Sequence, residues 1–188
     1  MKALRMLATP SGLALTPRRG TLSTIGMVPA LKRLAREPWL PNLAVSLHAT
    51  TDAARHELIQ TSRKQRLADL VAACRSFPLK HRDRITFEYV LLDGVNDTEA
   101  DAHRLVTLLR GLRAKVNLIP LNEAPGIPFS RPPDLHVDRF ARILASGKVI
   151  VSVRKSRGRD IRAACGQLIV EGGPRQSPGQ QAAQMVNG

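Results

Sequence analysis

The sequence predicts an α/β fold, a parallel sheet assembled from βαβ units, and three observations carry that prediction. Short apolar runs of strand length alternate with stretches of helical periodicity along most of the chain. The strand-like runs read as nearly continuous aliphatic segments, the pattern of buried parallel strands, yet carry polar residues at their far ends. At 188 residues, 43% of them hydrophobic, the chain can bury one sizeable core, and with only 3% aromatics that core must be Leu, Val, Ile and Ala.

The elements follow in order. The first strand-like run is Gly20 to Ile25, followed by a helical pattern from Val28 to Arg36. The second is Asn42 to His48, followed by a helical region through Arg55, Leu58, Leu67, Leu70, Val71 and Cys74. The third, Arg84 to Leu92, leads into a helix over Asp101 to Leu109. The fourth, Lys115 to Leu121, leads through a Pro-rich loop to a helix over Leu135 to Leu144, and Val149 to Val153 is the fifth. Asn122 to Pro133 holds too much Pro and Gly for a helix and reads as an ordered functional loop. Residues 171–188 have the composition of a solvated, disordered tail, which leaves 1–170 as the structured domain.

Ser23 and Thr24, Ser46 and His48, Asp93, and Asn122 all fall at or just past a strand's carboxyl end. In a (β/α) barrel that face holds the active site. In an open doubly wound sheet it borders the ligand crevice, so this pattern locates a site without deciding closure. No GxGxxG follows any strand, which weakens a dinucleotide-binding reading.

Lys and Arg number 29 against 15 Asp and Glu, a net charge of +14. Such an excess favours a polyanionic partner, because each phosphate neutralised releases a counterion. Scarce aromatics argue against a base-stacking platform, so phosphate contacts should dominate. The two cysteines, Cys74 and Cys165, make neither a disulfide framework nor a CxxC pair, and a reducing cytoplasm is the expected compartment. No apolar run approaches a membrane span. A signal peptide is suggested by the first residues but broken by Arg5, Pro10, Ser11 and Gly12.

The densest chemical signal is the segment from Arg154 to Leu168, which follows the last strand and places four basic residues in its first six. A thiol beyond such a cluster, Cys165, reads either as a nucleophile of lowered pKa or as a small buried residue on a short helix. Cys74, on the apolar side of a helical pattern, reads as core. His48, taken alone, reads as a hydrogen-bonded structural histidine, and no zinc-like ligand spacing accompanies it. The remaining histidines read as surface residues. Glu88 can point inward from mid-strand, where a carboxylate needs a partner such as Arg154 or Lys155.

Five segments in order resemble the RlmN-type radical-SAM methyltransferases, which methylate C2 of an adenine in 23S ribosomal RNA. They are Thr16 to Arg19 with Thr21 to Thr24; Leu43 to Ala49; Thr86 to Asp97; Lys115 to Pro120; and the loop of Asn122, Pro125, Gly126, Pro128 and Phe129 with Asp160, Ile161 and Ala163 to Leu168. The resemblance implies a partial (β/α) barrel of the radical-SAM type, missing its first strands. It implies that Cys165 is catalytic, accepting a methyl group from one S-adenosylmethionine (SAM) while a second is cleaved at a 4Fe–4S cluster. It implies SAM contacts at Ser23, at Ser46, Leu47 and His48, and at Asn122. The implied partner is 23S rRNA, with a tRNA adenine as the second substrate of some members.

Departures from the family pattern bear on activity. The cluster motif CxxxCxxC, a second catalytic cysteine and the GEP-type segment that contacts the SAM amine are absent. Three thiolates are needed for such a cluster, so the chain by itself is expected to be inactive, through a truncation or a mis-called start. Arg159 and Arg162 stand where acidic residues are usual, Ser62 where Asn is usual, and Glu123 where Pro is usual. Two other readings stand beside the enzyme fragment. One is a relative that methylates C8 of the same adenine. The other is a cluster-free, non-catalytic RNA-binding protein that uses the basic surface. A poorly folded remnant with exposed sheet edges is the blandest outcome.

Overall fold

The computed structural model describes residues 20–59, 65–123 and 125–154, together with Met6. Five strands form one sheet: β1 (Thr21–Thr24), β2 (Asn42–Ser46), β3 (Ile85–Leu91), β4 (Ala114–Pro120) and β5 (Ile150–Val153). They lie in sequence order, every neighbouring pair parallel. The connections carry helices α1 (Val28–Leu34), α2 (Asp52–Leu58), α3 (Leu67–Arg75), α4 (Glu99–Leu109) and α5 (Asp134–Ser146). The predicted α/β class therefore holds, and the order is that of consecutive βα units of a partial barrel.

Period-two alternation assigns the faces. On β3, Ile85, Phe87, Tyr89 and Leu91 are fully buried, whereas Thr86 and Glu88 between them are half-buried. The strand register extends that choice across the sheet: Val45, Phe87 and Val116 align on the buried face, as do Tyr89 and Leu118. There they join Leu34, Leu70, Leu105, Phe140 and Leu144 from the helices in the main core. Each such side chain contributes roughly 1.5–3 kcal/mol on leaving water. Tyr89 and Phe140 add a tilted ring pair at 5.4 Å.

Three sequence expectations change in detail. The second strand ends at Ser46, not His48, because His48 has φ 56, in the left-handed region that no strand accommodates. The expected helical stretch from Arg55 to Cys74 is two helices. Ile59 turns extended at φ −127, and the Asp52 carboxylate accepts from the Leu67 N–H at 2.6 Å, where α3 begins. His56 is half-buried and not a surface residue, its Nε2 lying 3.5 Å from the Gln65 carbonyl. Cys74 is core as expected, and burial pushes its thiol up to about 12.

A polar brace ties the segment after β2 to α4. Thr50 Oγ1 donates to Asp101 Oδ1 at 2.7 Å, Arg104 donates to both, and Thr98, the N-cap of α4, donates to Asp101 Oδ2. Burial opposes ionisation of Asp101, but the hydrogen bonds from Thr98, Thr50 and Arg104 prevail and hold it below the usual carboxylate range. Among the described residues, no helix is long and apolar enough to cross a membrane.

Candidate functional site

The open face of the sheet is polar. In register across β1 to β5 run Ser23, Ala44, Thr86, Lys115 and Ile150. Two residues further along, Ser46, Glu88, Asn117 and Ser152 form a second row over four strands. Ser152 Oγ donates to Asn117 Oδ1 at 3.2 Å within it. Beyond this row, towards the strands' carboxyl ends, the packing on this side turns apolar. Val90, Leu92, Leu121, Ala49, Leu58 and Ile59 form a second buried cluster, with Ile25, Ile119, Ile127 and Phe129 packed against it. A polar floor beside an apolar wall suits a ligand with both kinds of surface, as a nucleoside has.

The turn after β2 is built by side chains distant in sequence. His48 is buried, and its Nδ1 accepts from the Val90 N–H at 3.0 Å, which places the ring proton on Nε2. Burial, followed by the nearby Arg55 charge, lowers its pKa to about 3, so the ring is neutral. Asn96 completes the turn. Its Nδ2 donates to the carbonyls of His48 at 2.8 Å and Val90 at 2.7 Å, and its Oδ1 accepts from the Leu92 N–H at 2.8 Å. Tyr89 in turn donates to the Asn96 carbonyl at 2.9 Å. Arg55, fully buried, donates to the Ile25 carbonyl at 2.6 Å and ties α2 to the segment after β1.

These contacts sort the residues singled out by the sequence. Ser23 and Ser46 both lie on the open face, partly accessible. Leu47 belongs to the main core, and its N–H donates to the Glu88 carbonyl at 2.9 Å. The His48 ring is committed to Val90, its N–H donates to the Glu88 carbonyl and its own carbonyl accepts from Asn96. Asn122 is half-buried two residues past β4, at the start of a loop that Glu123 braces by accepting from the Arg131 N–H at 3.0 Å. Cys165, Lys155, Arg159 and Arg162 lie outside the described residues, as do Thr16 to Arg19, Ser62 and the tail. Glu88 faces the open side as expected, but Arg154 does not pair with it.

Sequence reasoning missed Asn96 and Arg55, since a buried amide or guanidinium leaves no periodic signal. It also missed the group formed by Asp93, Asp97 and His136, whose ligand atoms lie within 4.8 Å of one another. Asp97 accepts from the Gly94 N–H and lies 3.3 Å from His136 Nδ1, which ties the turn after β3 to α5.

The chain is 50% identical over 186 residues to the dual-specificity RNA methyltransferase RlmN of Anaeromyxobacter dehalogenans, a match covering 99% of this chain and 50% of that protein. It is 51% identical over 173 residues to the protein of the same name from Syntrophobacter fumaroxidans, covering 92% and 50%. Among solved structures, a radical SAM methyltransferase from Sphaerobacter thermophilus superposes with a TM-score of 0.82 at 49% identity, over 89% of this chain and 49% of that one. A domain of pyruvate-formate lyase-activating enzyme from Bacteroides vulgatus shares the fold, with a TM-score of 0.57 at 13% identity over 72% of this chain and 80% of that one. No family model matches. The chain spans about half the length of the curated relatives it matches. These findings bear out the resemblance to a carboxy-terminal RlmN portion, and with it the resemblance to an enzyme family.

Proposed function

We propose that this carboxy-terminal RlmN-type portion forms the SAM-binding half of a cytoplasmic radical-SAM methyltransferase that acts on C2 of an adenine in 23S rRNA, and on tRNA as its second substrate. In this reading residues 1–170 make up the barrel portion. One observation carries it: Ser23 and Ser46, expected to contact SAM, line one open polar face beside an apolar wall, in a chain half identical to RNA methyltransferases. The residues fit SAM. Ser23 and Ser46 offer hydroxyls, Leu47 and His48 form a braced turn beside them, and Asn122 offers an amide at the start of the loop after β4. Bound there, SAM supplies the methyl group, and Cys165 is the thiol assigned to accept it. The neutral His48 ring adds no charge to a site meant for a cation.

The same residues do not fit a 4Fe–4S cluster. Three thiolates are required, the chain has two cysteines, and Cys74 is sealed in the core as a thiol. Cluster chemistry therefore needs ligands beyond these 188 residues, and this chain alone should not turn over. Anaerobic iron–sulfide reconstitution should leave it without the cluster chromophore, while calorimetry should detect SAM. A chain that binds 23S fragments but shows no heat with SAM would instead support the reading as a cluster-free RNA-binding protein. The net charge of +14 favours that alternative, and it predicts an affinity that falls steeply with salt.

A further inference from the structure

We propose that Glu88 is a ligand-facing carboxylate of this site that accepts hydrogen bonds from the donor groups of SAM; the proposal rests on the SAM reading above. Register places it between Ser46 of β2 and Asn117 of β4, in the polar row that crosses the open face. Paired residues of neighbouring strands stand about 4.8 Å apart, so whatever touches Ser46 lies within reach of Glu88. The alternation of β3 leaves no doubt about its face, because Phe87 and Tyr89 on either side are both 0% exposed among the helices.

Among the described residues, none uses this carboxylate: it has neither an ion pair nor a side-chain hydrogen bond with them, although it is half-buried. Lys115 stands one register row before it and Arg154 follows β5, yet both are exposed and neither pairs with it. Carboxylates are disfavoured in strand interiors, and a partly desolvated one without donors costs stability. A residue that breaks both rules in the middle of a sheet points to a role in binding. SAM offers two matching donors: the ribose diol and the ammonium. A charge-assisted contact to either of them has the strength to change affinity by about tenfold or more.

The test is calorimetric titration of the unaltered chain and of Glu88→Gln with SAM, S-adenosylhomocysteine and methylthioadenosine, with thermal melts of both proteins. Glu88→Gln should melt no lower than the unaltered chain and bind SAM about tenfold more weakly. A loss shared by all three ligands assigns the ribose hydroxyls. A loss confined to the two amino-acid-bearing ligands assigns the ammonium, and one confined to SAM would overturn the hydrogen-bonding role, since the sulfonium has no proton to donate. Equal affinities of the two proteins for every ligand overturn the role of Glu88 and leave the SAM site standing. If the unaltered chain binds no SAM, the site reading fails and this proposal with it.

Discussion

The two faces of the sheet are made by the same strands and do opposite work. On the helix side, Leu43, Val45, Ile85, Phe87, Val116 and Leu118 are almost completely withdrawn from water and interlock with all of the longer helices. On the open side, Ser23, Ser46, Thr86, Glu88, Asn117 and Ser152 stay accessible and make a single hydrogen bond with one another. Phe87 and Glu88 are adjacent in the chain and differ only in which way the pleat turns them. Stability is concentrated on one face, which frees the other to hold groups that no folding argument would place there. The faces meet at the carboxyl ends of β2 and β3, where His48 and Asn96 join them through buried hydrogen bonds.

Substitutions can separate the two faces. The largest effect should come from Phe87→Ala, which leaves a cavity in the main core and costs about 3–5 kcal/mol in denaturant unfolding. A loss below about 1 kcal/mol would mean that the helix face is not the main source of stability. Next comes Asn96→Ala at the seam. It strips partners from two carbonyls and one N–H, for a cost of about 2–3 kcal/mol, and should also weaken SAM binding by loosening the left-handed turn at His48. Asn96→Ala with unchanged SAM affinity would show that the turn is held by β2 and β3 alone.

His48 gives the comparison a pH dependence. Its folded pKa of about 3 lies below the ordinary value of 6.5, so its stabilising contribution is complete above 6.5 and is lost as pH falls towards 3. The sign follows because the unfolded chain takes up a proton that the folded chain refuses. Stability should drop by up to about 1.4 kcal/mol per pH unit across that window, and His48→Gln should flatten the slope. An identical slope in the variant would place the titration elsewhere. The smallest change in stability should come from Ser46→Ala on the open face, within about 0.5 kcal/mol, yet with SAM affinity reduced. Equal SAM affinity there would remove the open face from the binding site.

Much of the fold was legible because its cause is local. The aliphatic runs at Leu43 to Val45, Ile85 to Leu91 and Val116 to Ile119 mark strands by composition, and the intervening helices by period, so class and strand number followed. The polar residues at the strand ends located the open face for the same reason. Boundaries failed where a contact and not a pattern ended the element. His48 reads as the last residue of a strand, but its left-handed turn depends on Val90 and Asn96, 42 and 48 positions away. The break between α2 and α3 likewise involves Asp52 accepting from Leu67, a bond to a residue 15 positions on.

By itself, then, the sequence determined an α/β chain of consecutive βα units, an aliphatic core and a strongly basic composition. Each of these depends on residue type and spacing, which a linear reading can register. Only the tertiary structure decided that Leu47 and the His48 ring are buried, that Asn96 holds the turn between them and β3, and that Glu88 stands in the polar row without a partner among the described residues. Those outcomes depend on which side chains meet after folding. Hydrogen bonds between residues 42 and 48 positions apart follow no period that the sequence could display.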